Sequence, residues 1–187
     1  MTLITALYDA SVLYPSLTRN LLVHLATSGL VAARWTEQIQ DEWTRNLLQD
    51  RPDLTPERLA RTRRLMDAAV PDARVDGYQA LTESLNLPDP DDRHVLAAAI
   101  VGQADALVTW NLKHFSEETI LPFGIEVLTP DDLVFRLLTL ASQDTRQAVE
   151  ALQASLRNPP YNWPGLLERF GQVGLTRTAE ALASFIN

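Results

Sequence analysis

The side chains of this chain best suited to chemistry carry oxygen and lie far apart: Asp9, Glu42, the trio Asp89, Asp91 and Asp92, and Asn111. Asp9 ends the apolar run 3–8, the acidic trio crowds a turn-rich stretch at 87–92, and Asn111 follows a second apolar run at 104–109. Hard divalent cations such as Mg2+ and Mn2+ take carboxylate, carbonyl and water oxygens. Four such groups brought together from distant parts of the chain would hold one. An ion held in this way suits phosphodiester hydrolysis, because it polarises the phosphate, acidifies a water and stabilises the leaving oxygen in line. No protein nucleophile is needed.

Other chemistries find little support. The sequence has no cysteine, which removes thiolate zinc sites, iron–sulfur clusters, disulfide scaffolds and cysteine nucleophiles. His24, His94 and His114 lack zinc-motif spacing and read as structural histidines. Ser11 stands in Asp-Ala-Ser-Val-Leu rather than in a Gly-x-Ser-x-Gly elbow, and it occupies the place where a phosphate-accepting aspartate motif needs a second acid. The seven glycines are scattered and form neither a P-loop nor a dinucleotide fingerprint. A net charge of −8 argues against a basic surface covering the whole molecule, while an acidic metal pocket is compatible with it.

Positioning the oxygen groups requires strands with helices between them. Short apolar runs at 3–8, 31–35, 104–109 and 124–128 read as buried strands. Between them lie helical patterns: leucines over 19–29 stopping at Gly29, a stripe after the N-cap Thr36, a helix opened by Thr55 and Pro56, and an apolar helix at 95–101 closed by Gly102. The run Arg58, Arg61, Arg63 and Arg64 reads as a solvated face. Alternating strands and helices predict an α/β fold with a central, mainly parallel sheet covered on both faces. Ligands of such sheets bind beyond the C-terminal strand ends, where Asp9 and Asn111 fall. From the capping-box signature at Thr129 onward only helices are expected, over 131–140, 143–157 and two short segments split near Gly171 and Gly174.

Four segments then carry a resemblance: Tyr8-Asp9-Ala10-Ser11-Val12-Leu13, Ile39-Gln40-Asp41-Glu42-Trp43, Asp91-Asp92-Arg93-His94-Val95-Leu96-Ala97-Ala98-Ala99 and Leu107-Val108-Thr109-Trp110-Asn111-Leu112-Lys113-His114-Phe115. In this order they resemble the PIN-domain nucleases, in their VapC-like toxin branch, over about residues 3–128. The resemblance implies a PIN-like three-layer domain at 1–140, an all-helical C-terminal extension at 141–187, and a Mg2+- or Mn2+-dependent endoribonuclease. It makes Asp9, Glu42 and Asp92 the metal carboxylates, Asp92 being preferred to Asp91 by the offsets of Val95, Ala97 and Ala99. Asn111 stands where many members have a fourth acid, and an amide there brings no charge.

Ser11, Thr109 and Asp91 are expected to orient the carboxylates, and Arg93, Lys113 and His114 to meet the phosphate backbone. The resemblance also implies an RNA substrate, a cognate antitoxin that lays a helix into a groove, and a homodimer. The N-terminus lacks a basic stretch ahead of an apolar one, and no apolar run reaches membrane-spanning length, so a cytoplasmic protein without membrane attachment is expected. The rival reading is a PIN-like module that binds RNA or protein without cutting, with Asn111 marking a lost metal site. The two readings part on whether Asp9, Glu42 and Asp92 meet closely enough to share an ion.

Overall fold

The computed structural model describes residues 4–185. The expected start of the first strand at Leu3 lies outside the described residues. The chain begins with β1 (Ile4–Tyr8), a short helix α1 (Ala10–Leu13) and α2 (Ser16–Thr27), followed by β2 (Val31–Arg34). Then come α3 (Glu37–Asp50), α4 (Pro56–Ala69), the single turn α5 (Gln79–Thr82) and α6 (Arg93–Val101). β3 (Ala106–Val108), the single turn α7 (Glu117–Ile120) and β4 (Glu126–Leu128) complete the sheet.

All strand pairs are parallel, in the order β2-β1-β3-β4, with Ile4 opposite Val31, Ala6 opposite Ala106 and Ala106 opposite Glu126. Parallel sheets need both faces covered, and the strands are built for that: Ala6, Leu7, Tyr8, Ala106, Leu107 and Val108 are fully buried. The chain leaves β1 toward β2 on one side and returns to β3 on the other. Right-handed crossovers in opposite directions place their helices on opposite faces. The switch point therefore falls between the C-terminal ends of β1 and β3, where the Asp9 amide donates to the Val108 carbonyl at 3.1 Å. Side chains from both strand ends meet there.

Local chemistry sets the helix ends that aim the site. Thr36 accepts from the Ile39 amide at 3.0 Å and starts α3, the helix bearing Glu42. Burial of Ile39, Trp43 and Leu47 fixes the rotation of α3, leaving Glu42 beside the buried stripe. Asp89 caps the 3-10 turn Pro90–Asp92 by accepting from the Asp91 amide at 3.0 Å, and this turn feeds α6. α6 itself is buried from His94 to Ala99, where small alanines let it lie close to β1 and β3. Gly29, at φ +73°, ends α2 with bonds from its own amide to Ala26 and from Leu30 to Leu25, the paired geometry for which a left-handed residue is required.

Among the described residues four helices follow the sheet: α8 (Pro130–Leu140), α9 (Ser142–Ser155), α10 (Trp163–Gln172) and α11 (Thr176–Ala183). The Thr129 capping box forms with Asp132. Its neighbour Asp131 is buried and accepts from the Arg177 and Thr178 amides at 3.0 and 2.9 Å, so one carboxylate of α8 satisfies the first turn of α11. α9 packs along α2, tying the extension to the sheet domain. Among the described residues no helix is long and apolar enough to cross a membrane.

Candidate active site

Asp9 stands at the switch point with only 4% of its surface exposed. Its side chain caps α1, with Oδ1 accepting from the Ala10 amide at 2.7 Å. Oδ2 accepts from the Ser11 hydroxyl at 2.6 Å and from the Thr109 hydroxyl at 2.8 Å. Those hydroxyls are themselves held: the Trp110 amide donates to Ser11 Oγ at 3.0 Å and the Asn111 amide to Thr109 Oγ1 at 2.9 Å. A buried carboxylate is costly unless so bonded, and this network fixes its orientation from both β1 and β3.

Glu42 on α3 has 23% of its side chain exposed, and its Oε1 lies 2.8 Å from His94 Nε2. His94 is buried, and its Nδ1 meets no hydrogen-bond partner. Asp92, 19% exposed, pairs through Oδ2 with His114 Nδ1 at 2.7 Å. Burial pushes the Asp92 carboxyl above the usual carboxylate range. The His114 ring pulls it back down, and the charges of Asp9 and Asp89 push it up again. Asp92 therefore lies within the field of Asp9, at the start of the helix α6 that packs on β1. Asp89, Asp92 and His114 offer ligand atoms within 4.8 Å of one another.

The structure thus brings Asp9, Ser11 and Thr109 into one hydrogen-bonded unit and draws Asp92 into the field of Asp9. Glu42 lies beside His94, two residues beyond Asp92, while the group of described residues whose ligand atoms fall within 4.8 Å of one another is Asp89, Asp92 and His114, without Asp9 or Glu42. The Asn111 side chain is exposed, and only its backbone amide is bonded to the unit. Asp91 is exposed, because the capped turn rotates it away from Asp92, and Asp89 is the acid that lies beside Asp92 instead. Lys113 is exposed and Arg93 half-buried, with its Nε lacking a partner.

Two partners escape sequence reasoning. His94 reads from spacing as a core histidine, yet it holds Glu42, and His114 reads as a phosphate contact, yet it holds Asp92. The available signal is that His94 follows Asp92 on a helix start and that His114 follows Asn111 by three residues.

A family model described as the PIN domain matches residues 5–113, and one described as the VapC50 C-terminal domain matches residues 130–184. The chain is 35% identical over 96 residues to a Mycobacterium tuberculosis (strain ATCC 25618 / H37Rv) protein named "Putative ribonuclease VapC50". That match covers 51% of this chain and 56% of the relative, so the chain spans about half the length of the protein it matches. No solved structure matches.

Proposed function

This chain belongs to the PIN-domain family, and from that premise we propose that it is a Mg2+- or Mn2+-dependent endoribonuclease, the toxin of a VapBC-like pair. One observation carries the reading: a buried Asp9 carboxylate oriented by two hydroxyls at the switch point, with Asp92, whose carboxyl is pushed up by burial and further by the charges of Asp9 and Asp89, at the start of the helix α6 that packs on β1. Carboxylates so placed repel one another, and a shared cation relieves the repulsion.

The donor set fits a hard divalent ion. Asp9 Oδ1 keeps one lone pair free beside the Ala10 amide, and Glu42 Oε2 and Asp92 Oδ1 have no hydrogen-bond partner among the described residues. All three are oxygens, which is what Mg2+ and Mn2+ prefer. When bound, such an ion supplies charge neutralisation at the phosphate and a more acidic water. The chain's own part is orientation. Ser11 and Thr109 hold Asp9, His114 holds Asp92 and His94 lies against Glu42, so each of the three carboxylates has a neighbour that restrains it before substrate arrives. Asn111 offers a neutral carbonyl, which favours one strongly held ion over two. Arg93 and Lys113 are the proposed phosphate contacts beside the acids.

The rest of the reading follows the family. The relative's name supports ribonuclease chemistry, and the partners proposed are an RNA substrate, a cognate antitoxin and a second copy of the chain, in the cytoplasm. The division into a nuclease domain to residue 140 and a helical extension from 141 belongs to the same proposal. Incubating the chain with total RNA in Mg2+, Mn2+ or EDTA, and mapping new ends, tests the activity. Discrete ends that need metal and vanish in Asp9→Asn and Asp92→Asn are the expected result. Ends that persist in EDTA or in both variants would overturn the reading.

A further inference from the structure

The arginines of this acidic protein are unevenly used. Arg63 is spent on Glu37 and Asp41, Arg74 on Glu37 and Asp76, Arg136 on Glu126 and Arg177 on Asp132. Five others line a continuous cleft between α2 and the α3–α4 corner on one side and the α9–α10 connection on the other. One part, of about 560 Å³, is lined by Arg19, Arg51, Arg58 and Arg169. The next, of about 390 Å³, carries Arg157 and shares Ser16, Leu17, Asn158 and Arg169 with the first. No Asp or Glu lines either part. The nearest carboxylates are engaged: Asp53 with Arg51, and Asp50 with the Tyr14 hydroxyl at 2.7 Å.

Arg19 forms the floor. It is 7% exposed, stacks over Trp43 at 4.5 Å and donates through Nη1 to the Leu13 carbonyl at 2.6 Å, while its buried Nε has no partner. A buried guanidinium without a carboxylate is a costly arrangement unless an anion answers it. Arg58 and Arg157 are exposed with no side-chain partner among the described residues, and exposed Arg169 meets only the neutral Gln172. The half-buried rings of Tyr14 and Tyr161 stand in the same walls.

The cleft also adjoins the carboxylates. Tyr14, in its wall, ends the short helix that Asp9 begins, roughly 8 Å of helical rise away. Val173, in the opposite wall, precedes Gly174, on which the Trp110 ring rests, and the Trp110 amide bonds Ser11.

We propose that this cleft is an RNA-backbone subsite, in which Arg58, Arg157 and Arg169 hold successive phosphates of a single strand whose scissile bond lies at Asp9, with Arg19 at its floor. Guanidinium forks match phosphate oxygens, and aromatic rings in a basic channel stack unpaired bases. That combination favours a nucleic acid strand over an acidic peptide. The identity of the polyanion rests on the ribonuclease reading. The extension thereby acquires a role in substrate capture, since Arg157 and Arg169 belong to it.

The test measures binding apart from cleavage. A short fluorescein-labelled unstructured RNA is titrated by anisotropy against the full chain carrying Asp9→Asn, in EDTA, at several salt concentrations. Adding Arg58→Ala, Arg157→Ala and Arg169→Ala together should weaken binding about tenfold or more and flatten the log K against log salt slope by roughly 2, at about 0.7 per lost single-strand contact. Arg136→Ala and Arg146→Ala, away from the cleft, should change neither. Circular dichroism checks that the triple variant folds. Unchanged affinity and slope in the folded triple variant, or no RNA binding by the parent, would overturn the proposal. So would preferred, arginine-dependent binding of labelled polyglutamate, which assigns the cleft to an acidic protein partner. Cleavage is then assayed separately with Asp9 intact. Arginine-dependent binding without cleavage in any metal leaves the subsite standing and removes the nuclease, whereas cleavage at undiminished kcat/KM in the triple variant does the reverse.

Discussion

At the scale of single residues, the network around Asp9 makes graded demands. Ser11 and Thr109 touch the carboxylate through hydroxyls at 2.6 and 2.8 Å, so Ser11→Ala or Thr109→Val should leave the ligand in place but badly oriented. Removing such orienting groups typically costs about 10–100-fold in metal affinity or activity. We expect losses in that range, read as kcat/KM on an RNA substrate in Mn2+, with little change in melting temperature beyond that of one lost hydrogen bond. Full activity in both variants would reduce the hydroxyls to local turn chemistry. Asp9, Ser11 and Thr109 were legible in the sequence because apolar runs end at Asp9 and Thr109 and because hydroxyls beside a carboxylate can orient it, whereas the pairing of β1 with β3 that brings them together was not. The histidine partners were not, since His94–Glu42 and His114–Asp92 join elements whose relative rotation only packing decides.

Helices and strands were readable where backbone chemistry is local. Thr36, Thr55 and Thr129 cap α3, α4 and α8, and Gly29 closes α2. α2 begins at Ser16, ahead of the leucine stripe, with Pro15 at its N-cap, where the missing N–H leaves one fewer donor without an acceptor. The single-turn helices α1, α5 and α7 show no periodicity long enough to register. Nor did the sequence reveal how the extension is tied down, which depends on Asp131 capping α11 and on Trp110 resting against Gly174. At φ +90°, Gly174 is where a side chain is strained, and its added Cβ would lie 3.0 Å from the Trp110 ring. Gly174→Ala should cost about 1–2 kcal/mol for the left-handed backbone alone, or roughly 2–8 °C of melting temperature, and should lower activity by displacing Trp110 from Ser11.

A second element-level prediction concerns the α2–α9 contact. Burial lowers the pKa of His24, whose Nε2 lies 3.4 Å from the Ser155 hydroxyl. Its neutral form is favoured in the folded state, so the unfolded chain binds more protons between the folded pKa and 6.5. The stabilisation is thus present above pH 6.5 and lost as pH falls through the folded value. Melting temperature should drop more steeply on acidification in the natural chain than in His24→Gln. Parallel curves would show that His24 contributes nothing to the pH dependence.

For the molecule as a whole, a net charge of −8 and the neighbouring acids Asp89 and Asp92 make the metal-free state electrostatically loaded near the start of α6. A ligand that binds only the folded chain stabilises it by mass action, about 2.7 kcal/mol at a hundredfold excess over Kd. For a chain of this size that is roughly 5–10 °C. Mn2+ should therefore raise the melting temperature, and Asp9→Asn should abolish most of the rise. The same ion should leave the arginine-lined cleft unaffected, since that surface answers to salt rather than to divalent charge.

Whether Asp9, Glu42 and Asp92 share one ion is read by a Mn2+ titration followed by the electron paramagnetic resonance signal of free Mn2+. One strong site is expected in the natural chain, weakened at least about tenfold in each of Asp9→Asn, Glu42→Gln and Asp92→Asn, in line with loss of a ligand or its orientation. Unchanged Mn2+ affinity in any one of the three folded variants would contradict a shared ion.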